Sequence, residues 1–203
     1  MSADAKPERP EVVGILGGSF NPVHIGHLML GSYLVQWKYV DRVWLTLSPR
    51  NPLKDPSLLV PDVKRLAMLG IALKGAEDMD ICDLELAMPR PSYTINTLRE
   101  LAERYPDKRF RLIIGSDNWR IFDQWKNNQE ILDKFGVLVY LRPGYPIENR
   151  RVDGMEVVDA PMVNLSSTFV RDAIARGRDV RYFLPEGVYK YIQDNRLYIP
   201  RDK

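Results

Sequence analysis

The sequence predicts one α/β domain, a Rossmann-like, doubly wound parallel sheet with a small helical portion at its C-terminal end. Two observations carry this. Short apolar runs of strand length alternate with amphipathic stretches of helix length, the pattern of a parallel sheet wrapped by helices on both faces. No internal repeat, low-complexity block or long linker interrupts the alternation, so residues 1–10 read as a disordered tail and 11–203 as one folded unit. A chain of 203 residues can bury roughly 70% of its unfolded surface, enough for a core without disulfides or metal.

The elements follow in order. VVGILG (12–17) reads as a buried strand ending in glycine. Asn21-Pro22 predicts entry into a helix, because proline is tolerated in the first helical turn, and the helix runs to about Lys38. RVWLTLS (42–48) is a second strand and NPLKDPSLLVP (51–61) a proline-rich loop. PDVKRLAMLGIALKG (61–75) opens with proline and closes with glycine, the expected helix asymmetry. MDICDLE (79–85) is a third strand, and PSYTINTLRELAERYP (91–106) a helix with Ser92 or Thr94 as its cap. RFRLIIG (109–115) and GVLVYLRPG (136–144) are strands, with helical material around 117–134 between them. MEVVDAP (155–161) is a last strand, SSTFVRDAIARG (166–177) a capped helix ending at glycine, and PEGVYKYIQDN (185–195) a final helix.

Composition narrows the function classes. With 45% hydrophobic and 28% charged residues, the chain has ordinary soluble globular composition. A net charge of +2 is too mild for a nucleic-acid surface but leaves room for one local cationic pocket. Cys82 is the only cysteine, so no intramolecular disulfide or thiolate zinc site is available, and no residue is assigned as a metal ligand. MSADAKPERP lacks a signal-type apolar core, and no apolar run approaches the roughly 18 residues of a membrane span. The expectation is a cytoplasmic protein with neither nucleic-acid nor membrane partners; a homo-oligomer is left open.

In an open parallel sheet, ligands bind beyond the carboxyl ends of the strands, where the strand order reverses. GILGGSFNPVHIGHL (14–28) lies at the end of the first strand and contains the only two histidines, His24 and His27. Gly17 and Gly18 allow the backbone to approach a ligand closely. The helix that follows presents unpaired N–H groups and a partial positive charge. His24 and His27, three apart, share a face of its first turn, so two imidazoles beside a helix N-terminus form a receptor for polyphosphate. A G-x-G-x-x-G dinucleotide fingerprint is absent, and no further His or nearby Cys completes a zinc site.

GGSFNPVHIGH is similar to the GG[ST]F[DN]PxHxGH signature of the HxGH-motif nucleotidyltransferases, in which the two histidines hold ATP phosphates. Far along the chain, LSSTFVR (165–171) opens a helix that Ser166 and Ser167 can cap, with Arg171 on the face of Ser167. It resembles the ISSTxxR element that binds the β- and γ-phosphates in the nicotinate mononucleotide branch. PSYTINTL (91–98) and IIGSD followed by Trp125 look like the PSYTxxTL and IIGxD…W elements of the bacterial nicotinate-nucleotide adenylyltransferase family. RPGYP (142–146) and LPEGVYKYIQDNRLY (184–198) match as well.

The resemblance implies adenylyl transfer from ATP, accompanied by Mg²⁺, to nicotinate mononucleotide. It implies that Gly17, Gly18, Ser19, Phe20, His24, His27, Asp117, Ser166, Ser167, Thr168 and Arg171 bind ATP. Thr94 and its helix start would read the carboxylate, while Tyr93 and Trp125 pack the pyridine ring. His24, His27, Lys54 and Arg171 are the implied catalytic set. One departure stands out: where many members read IPxxxPPHK, this chain reads LSPRNPLK (47–54), keeping Lys54 and placing Leu53 where the family has histidine. The roles of Arg65 and Arg142 stay open. Rival readings are a sister adenylyltransferase acting on nicotinamide mononucleotide or phosphopantetheine, and a non-catalytic nucleotide sensor. The phosphopantetheine enzymes show T-x-G-H with one motif histidine, and a sensor would have lost a clamping residue.

Overall fold

A computed structural model describes residues 9–49 and 59–199 of the chain. Six strands form one wholly parallel sheet: β1 (Glu11–Gly18), β2 (Arg42–Leu47), β3 (Met79–Cys82), β4 (Lys108–Gly115), β5 (Val137–Tyr140) and β6 (Met155–Val158). Their order is β3-β2-β1-β4-β5-β6, so the chain winds outward from β1, returns, and winds outward again from β4. The doubly wound reading holds, and the order reverses between β1 and β4, where a ligand crevice belongs. Register is continuous across this seam, with Leu16 beside Leu45 on one side and Ile113 on the other.

Strand side chains alternate between the faces and divide the core in two. Leu16, Val43, Leu45, Leu47, Ile113 and Leu138 point to one face. That face is covered by α1 (Ile25–Gln36), α2 (Asp62–Ala72), α7 (Ser167–Ala175) and α8 (Val188–Asp194), through Leu34, Met68, Leu69, Val170 and Ile192. Val13, Ile15, Phe110, Leu112, Val137 and Val139 point to the other face, under α3 (Leu84–Ala87), α4 (Thr94–Arg104) and α6 (Asn128–Lys134), through Leu84, Ile95, Leu98, Leu101 and Ile131. The short α5 (Ser116–Trp119) leads directly from β4.

Several boundaries differ from the sequence expectation. Asn21-Pro22 does not open a helix; α1 begins at Ile25, because His24 takes the cap position in extended backbone. The third strand stops at Cys82 and the chain turns into α3, since Glu85 is drawn inward to bond Thr97. Neither Ser92 nor Thr94 caps α4; Tyr93 occupies that position without a side-chain cap bond. Of the expected tail, residues 1–8 lie outside the described residues, while Arg9 makes a two-bond pair with Asp41 at 2.6 and 2.8 Å. No helix among the described residues is long and apolar enough to cross a membrane.

Candidate active site

Two cavities share Tyr140, at the end of β5: the smaller opens at the carboxyl ends of β1 and β4, and the larger runs along α1 from His24 to Trp37. The larger, about 530 Å³, has His24, His27 and Arg142 in its wall. The smaller, about 350 Å³, is bounded by Gly17, Gly18, Ser19, Ser48, Glu85, Thr94, Thr97, Asn118 and Trp125.

The imidazole pair is built by the turn that joins β1 to α1. Phe20 sits at φ 42°, a left-handed conformation that reverses the chain and buries its ring. That ring lies over Gly18, where an added Cβ would come within 3.0 Å of it, and meets His27 edge-on at 5.0 Å. Phe20 therefore props His27 and can touch a ligand only through its backbone. His24 caps α1, and its backbone N–H donates to His27 Nδ1 at 3.1 Å. With Nδ1 accepting, the His27 proton is assigned to Nε2, leaving that atom as a donor. The two rings stack with centroids 3.7 Å apart. The glycine between them matters here, since a Cβ on Gly26 would press within 3.1 Å of His24 Nδ1.

Both imidazoles are neutral at pH 7. Burial, reinforced by the Arg142 guanidinium, pushes His24 down to about 4. His27 lies well below the usual histidine range, through burial and then the proximity of His24 and Arg142. The pair therefore presents hydrogen-bond donors rather than cations. Among the described residues, the cation that faces them is Arg142, whose role the sequence leaves open. Its backbone N–H donates to Ser116 Oγ at 2.9 Å, and its Nε lies 3.9 Å from Asp117 Oδ1. That Oδ1 is buried against Gly115 and has no hydrogen-bond partner; Asp117 is not in the wall of either cavity.

The late LSSTFVR element reaches the early motif. Ser166 alone caps α7, its Oγ accepting from Phe169 N–H at 3.1 Å. Ser167 does not cap; its hydroxyl donates to the Pro22 carbonyl at 2.8 Å. Arg171 donates to the Asn21 carbonyl at 2.9 Å and to Thr168 Oγ1 at 3.2 Å. The Ser167 hydroxyl and Arg171 thus fasten α7 onto the loop before the imidazoles, and this brings the late element beside the early motif. The first N–H groups of α7 have no partner within the helix, as at any helix start.

Around the smaller cavity, Thr94 begins α4 and Trp125 stands across from it. Tyr93 is outside the cavity wall; its exposed ring carries the Lys126 ammonium at 4.4 Å. Glu85, missed by the sequence reading, is buried and accepts from Thr97 Oγ1 at 3.0 Å. Burial pushes its carboxyl up, while Thr97 and Ser48 hold it back. Lys54 and Leu53 lie outside the described residues. No group of three or more His, Cys, Asp or Glu side chains that could hold a metal ion occurs among the described residues.

Residues 15–173 match the family model described as cytidylyltransferase-like. A relative from Bacteroides fragilis named as a nicotinate-nucleotide adenylyltransferase is 46% identical over 180 residues, 88% of this chain and 90% of its own. Its counterpart from Bacteroides thetaiotaomicron, of the same name, is 45% identical over 182 residues, 89% and 90% of the two chains. Among solved structures, Plasmodium falciparum nicotinic acid mononucleotide adenylyltransferase complexed with NaAD shares the fold, with a TM-score of 0.77 at 18% identity over 93% of this chain and 97% of that one.

Proposed function

The chain belongs to the nicotinate-nucleotide adenylyltransferase family of cytidylyltransferase-like proteins, and from that premise we propose how residues 11–203 carry out adenylyl transfer from ATP to nicotinate mononucleotide. The observation that carries the reading is the pair of cavities meeting at Tyr140, the smaller at the carboxyl ends of β1 and β4 and the larger beside His24 and His27. One offers donors and a cation suited to a polyphosphate; the other offers a helix start and a flat aromatic suited to a pyridine carboxylate.

The mononucleotide's 5′-phosphate oxygen attacks the α-phosphorus of ATP, an O–P bond forms, the bond to the β-phosphate bridging oxygen breaks, and pyrophosphate leaves. The nucleophile is already anionic at neutral pH, so no protein base is required. Catalysis then rests on in-line placement and on stabilising charge in the transferring and leaving phosphates. His27 donates from Nε2 and His24 stands beside it; being neutral, the rings bind phosphate without first releasing another anion. Arg142 supplies fixed positive charge, a role assigned here from its place in the same cavity wall. The α1 and α7 N-termini, with the backbone at Phe20, complete the phosphate cradle, and Gly17, Gly18 and Ser19 line the smaller cavity where the acceptor lies. Ser167 and Arg171 serve that cradle by fixing α7 against the Asn21-Pro22 turn, Ser166 caps α7 and Thr168 braces Arg171, and Lys54, between β2 and α2 in sequence, adds a cation.

Asp117 accepts from the adenosine side. Thr94 and the unpaired N–H groups at the start of α4 take the nicotinate carboxylate, and Trp125 stacks on the ring, with Tyr93 at the rim. Mg²⁺ would enter as part of the nucleotide substrate, held mostly by phosphate oxygens and water, in keeping with the described residues, which form no carboxylate cluster. The site lies in a protein we read as cytoplasmic. The test is pyrophosphate release from MgATP with nicotinate mononucleotide, nicotinamide mononucleotide and phosphopantetheine in parallel. The nicotinate compound should give the highest kcat/KM; a higher value with either alternative overturns the acceptor assignment.

A further inference from the structure

Arg65 is a fully buried arginine on α2, 0% exposed. Two of its bonds stay at the start of that helix, and two leave it for residues in the wall of the smaller cavity. Its Nη1 donates to the Ser19 carbonyl at 2.6 Å and to the Ser48 carbonyl at 3.0 Å. Its Nε donates to the Val60 carbonyl at 3.1 Å, and its Nη2 to Asp62 Oδ1 at 2.6 Å. Ser19 follows β1, Ser48 follows β2, and Val60 adjoins Leu59; Ser19, Ser48 and Leu59 all line the smaller cavity. Asp62 also lies 3.9 Å from Arg90, just before the segment that starts α4.

One planar guanidinium thus braces three backbone segments, adding to the Ser48 N–H that donates to the Gly18 carbonyl at 2.9 Å and the Val60 N–H that donates to Asn21 Oδ1 at 3.3 Å. A buried charge of this kind is costly unless fully paired, and here three carbonyl dipoles and a carboxylate pair it. The fork geometry is what allows it: lysine offers a single point of attachment and cannot reach three carbonyls in fixed directions. None of these contacts touches the cavity that holds His24, His27 and Arg142.

We infer that Arg65 is a positioning residue for the acceptor substrate: through Ser19, Ser48 and Val60 it sets the wall against which the mononucleotide lies, and it leaves the triphosphate subsite unaffected. The inference rests on the adenylyltransferase reading above.

The test compares steady-state pyrophosphate release by the wild type, Arg65→Lys, Arg65→Met and Phe110→Leu. Phe110 is buried near the opposite end of β4 and reports what loss of stability alone does. Assays run well below each variant's melting temperature. Arg65→Lys should raise KM for nicotinate mononucleotide by about tenfold, and Arg65→Met by more, with KM for ATP within about threefold of the parent. Should both Arg65 variants fail to fold, Asp62→Asn, which weakens one anchor on the half-buried side, should shift the same constant in the same direction, by a few-fold. Equal rises in both KM values, an unchanged mononucleotide KM, or the same split in Phe110→Leu would each overturn the inference. Silence of the wild type with nicotinate mononucleotide overturns the substrate reading and this inference with it; wild-type turnover without a split in the variants overturns the inference alone.

Discussion

Acidification should loosen the fold in a window set by its two histidines. In the unfolded chain an imidazole titrates near 6.5, whereas burial and Arg142 hold His24 down to about 4 in the fold. Between those values the unfolded chain takes up a proton that the folded chain refuses, so stability is complete above pH 6.5 and falls as the pH drops toward 4. At about 1.4 kcal/mol per pH unit, His24 alone costs roughly 2–3 kcal/mol between pH 6.5 and 4.5. His27, also held well below the usual range, adds to the slope with the same sign. A domain's whole stability is about 5–15 kcal/mol, and with urea slopes of roughly 1–3 kcal/mol per molar the midpoint should fall by about 1 M or more. Carboxylates held low by ion pairs, Asp41 by Arg9 and Glu130 by Arg99 and Lys134, are lost only at more acid pH. Glu85, pushed up by burial, acts in the opposite sense. The assay is urea unfolding followed by tryptophan fluorescence at constant ionic strength from pH 7 to 4.5, in the parent and in His24→Asn/His27→Asn, asparagine being a good helix cap. The double variant cancels the carboxylate contributions common to both proteins. Its midpoint should stay nearly level from pH 6.5 to 5 while the parent's falls. Parallel curves would refute the claim that the rings are neutral in the fold.

Three further outcomes follow from the proposed site. His27→Ala should lower kcat by about 10²-fold or more, the scale of losing one preorganised donor; activity within a few-fold of the parent in folded protein counts decisively against a phosphate role. Trp125→Ala should chiefly raise KM for the mononucleotide, since stacking serves ground state and transition state alike, and a raised KM for ATP alone would move Trp125 out of the acceptor pocket. Arg142→Met should raise KM for ATP by about tenfold, the value of a charge-assisted bond, and lift the titration of His24 toward 6.5 in NMR; an unmoved histidine resonance would place the guanidinium elsewhere in solution.

The fold was legible because it is written in strong local signals. VVGILG, RVWLTLS and RFRLIIG are apolar runs of strand length, and their alternation with helical stretches leaves few arrangements other than a parallel sheet. Boundaries were less legible where tertiary contacts overrode propensity. His24 is no usual helix cap, and it caps α1 because its N–H finds a ring nitrogen one turn ahead. In the site, HIGH and LSSTFVR could be read as a pair, yet their contacts could not, because the partners of Ser167 and Arg171 are the carbonyls of Pro22 and Asn21. A carbonyl is present at every residue and leaves no trace in sequence. The same holds for Arg65, whose partners are three carbonyls and one carboxylate. The charge state of the histidines was equally hidden, since it depends on burial and on an arginine that β5 delivers from over a hundred positions away.

Those carbonyl contacts also account for how a mobile-looking turn becomes a rigid platform. The loop from Ser19 to Val23 leaves β1 and has little ladder bonding of its own, but three side chains hold its Asn21-Pro22 turn. Arg171 and Ser167 reach Asn21 and Pro22 across 150 and 145 residues, and the Tyr198 hydroxyl donates to Asn21 Oδ1 at 2.9 Å across 177. Long-range contacts of this kind form only once the whole sheet is assembled, because α7 returns to the face of α1 after β5 and β6 have been added beyond β4. A reaction without a covalent intermediate or a protein base depends on placement, and an error of about 1 Å in placement can cost about 10²-fold in rate. Fastening the imidazole-bearing turn from the far ends of the chain, rather than from its own strand, is therefore what makes two neutral rings usable as fixed donors.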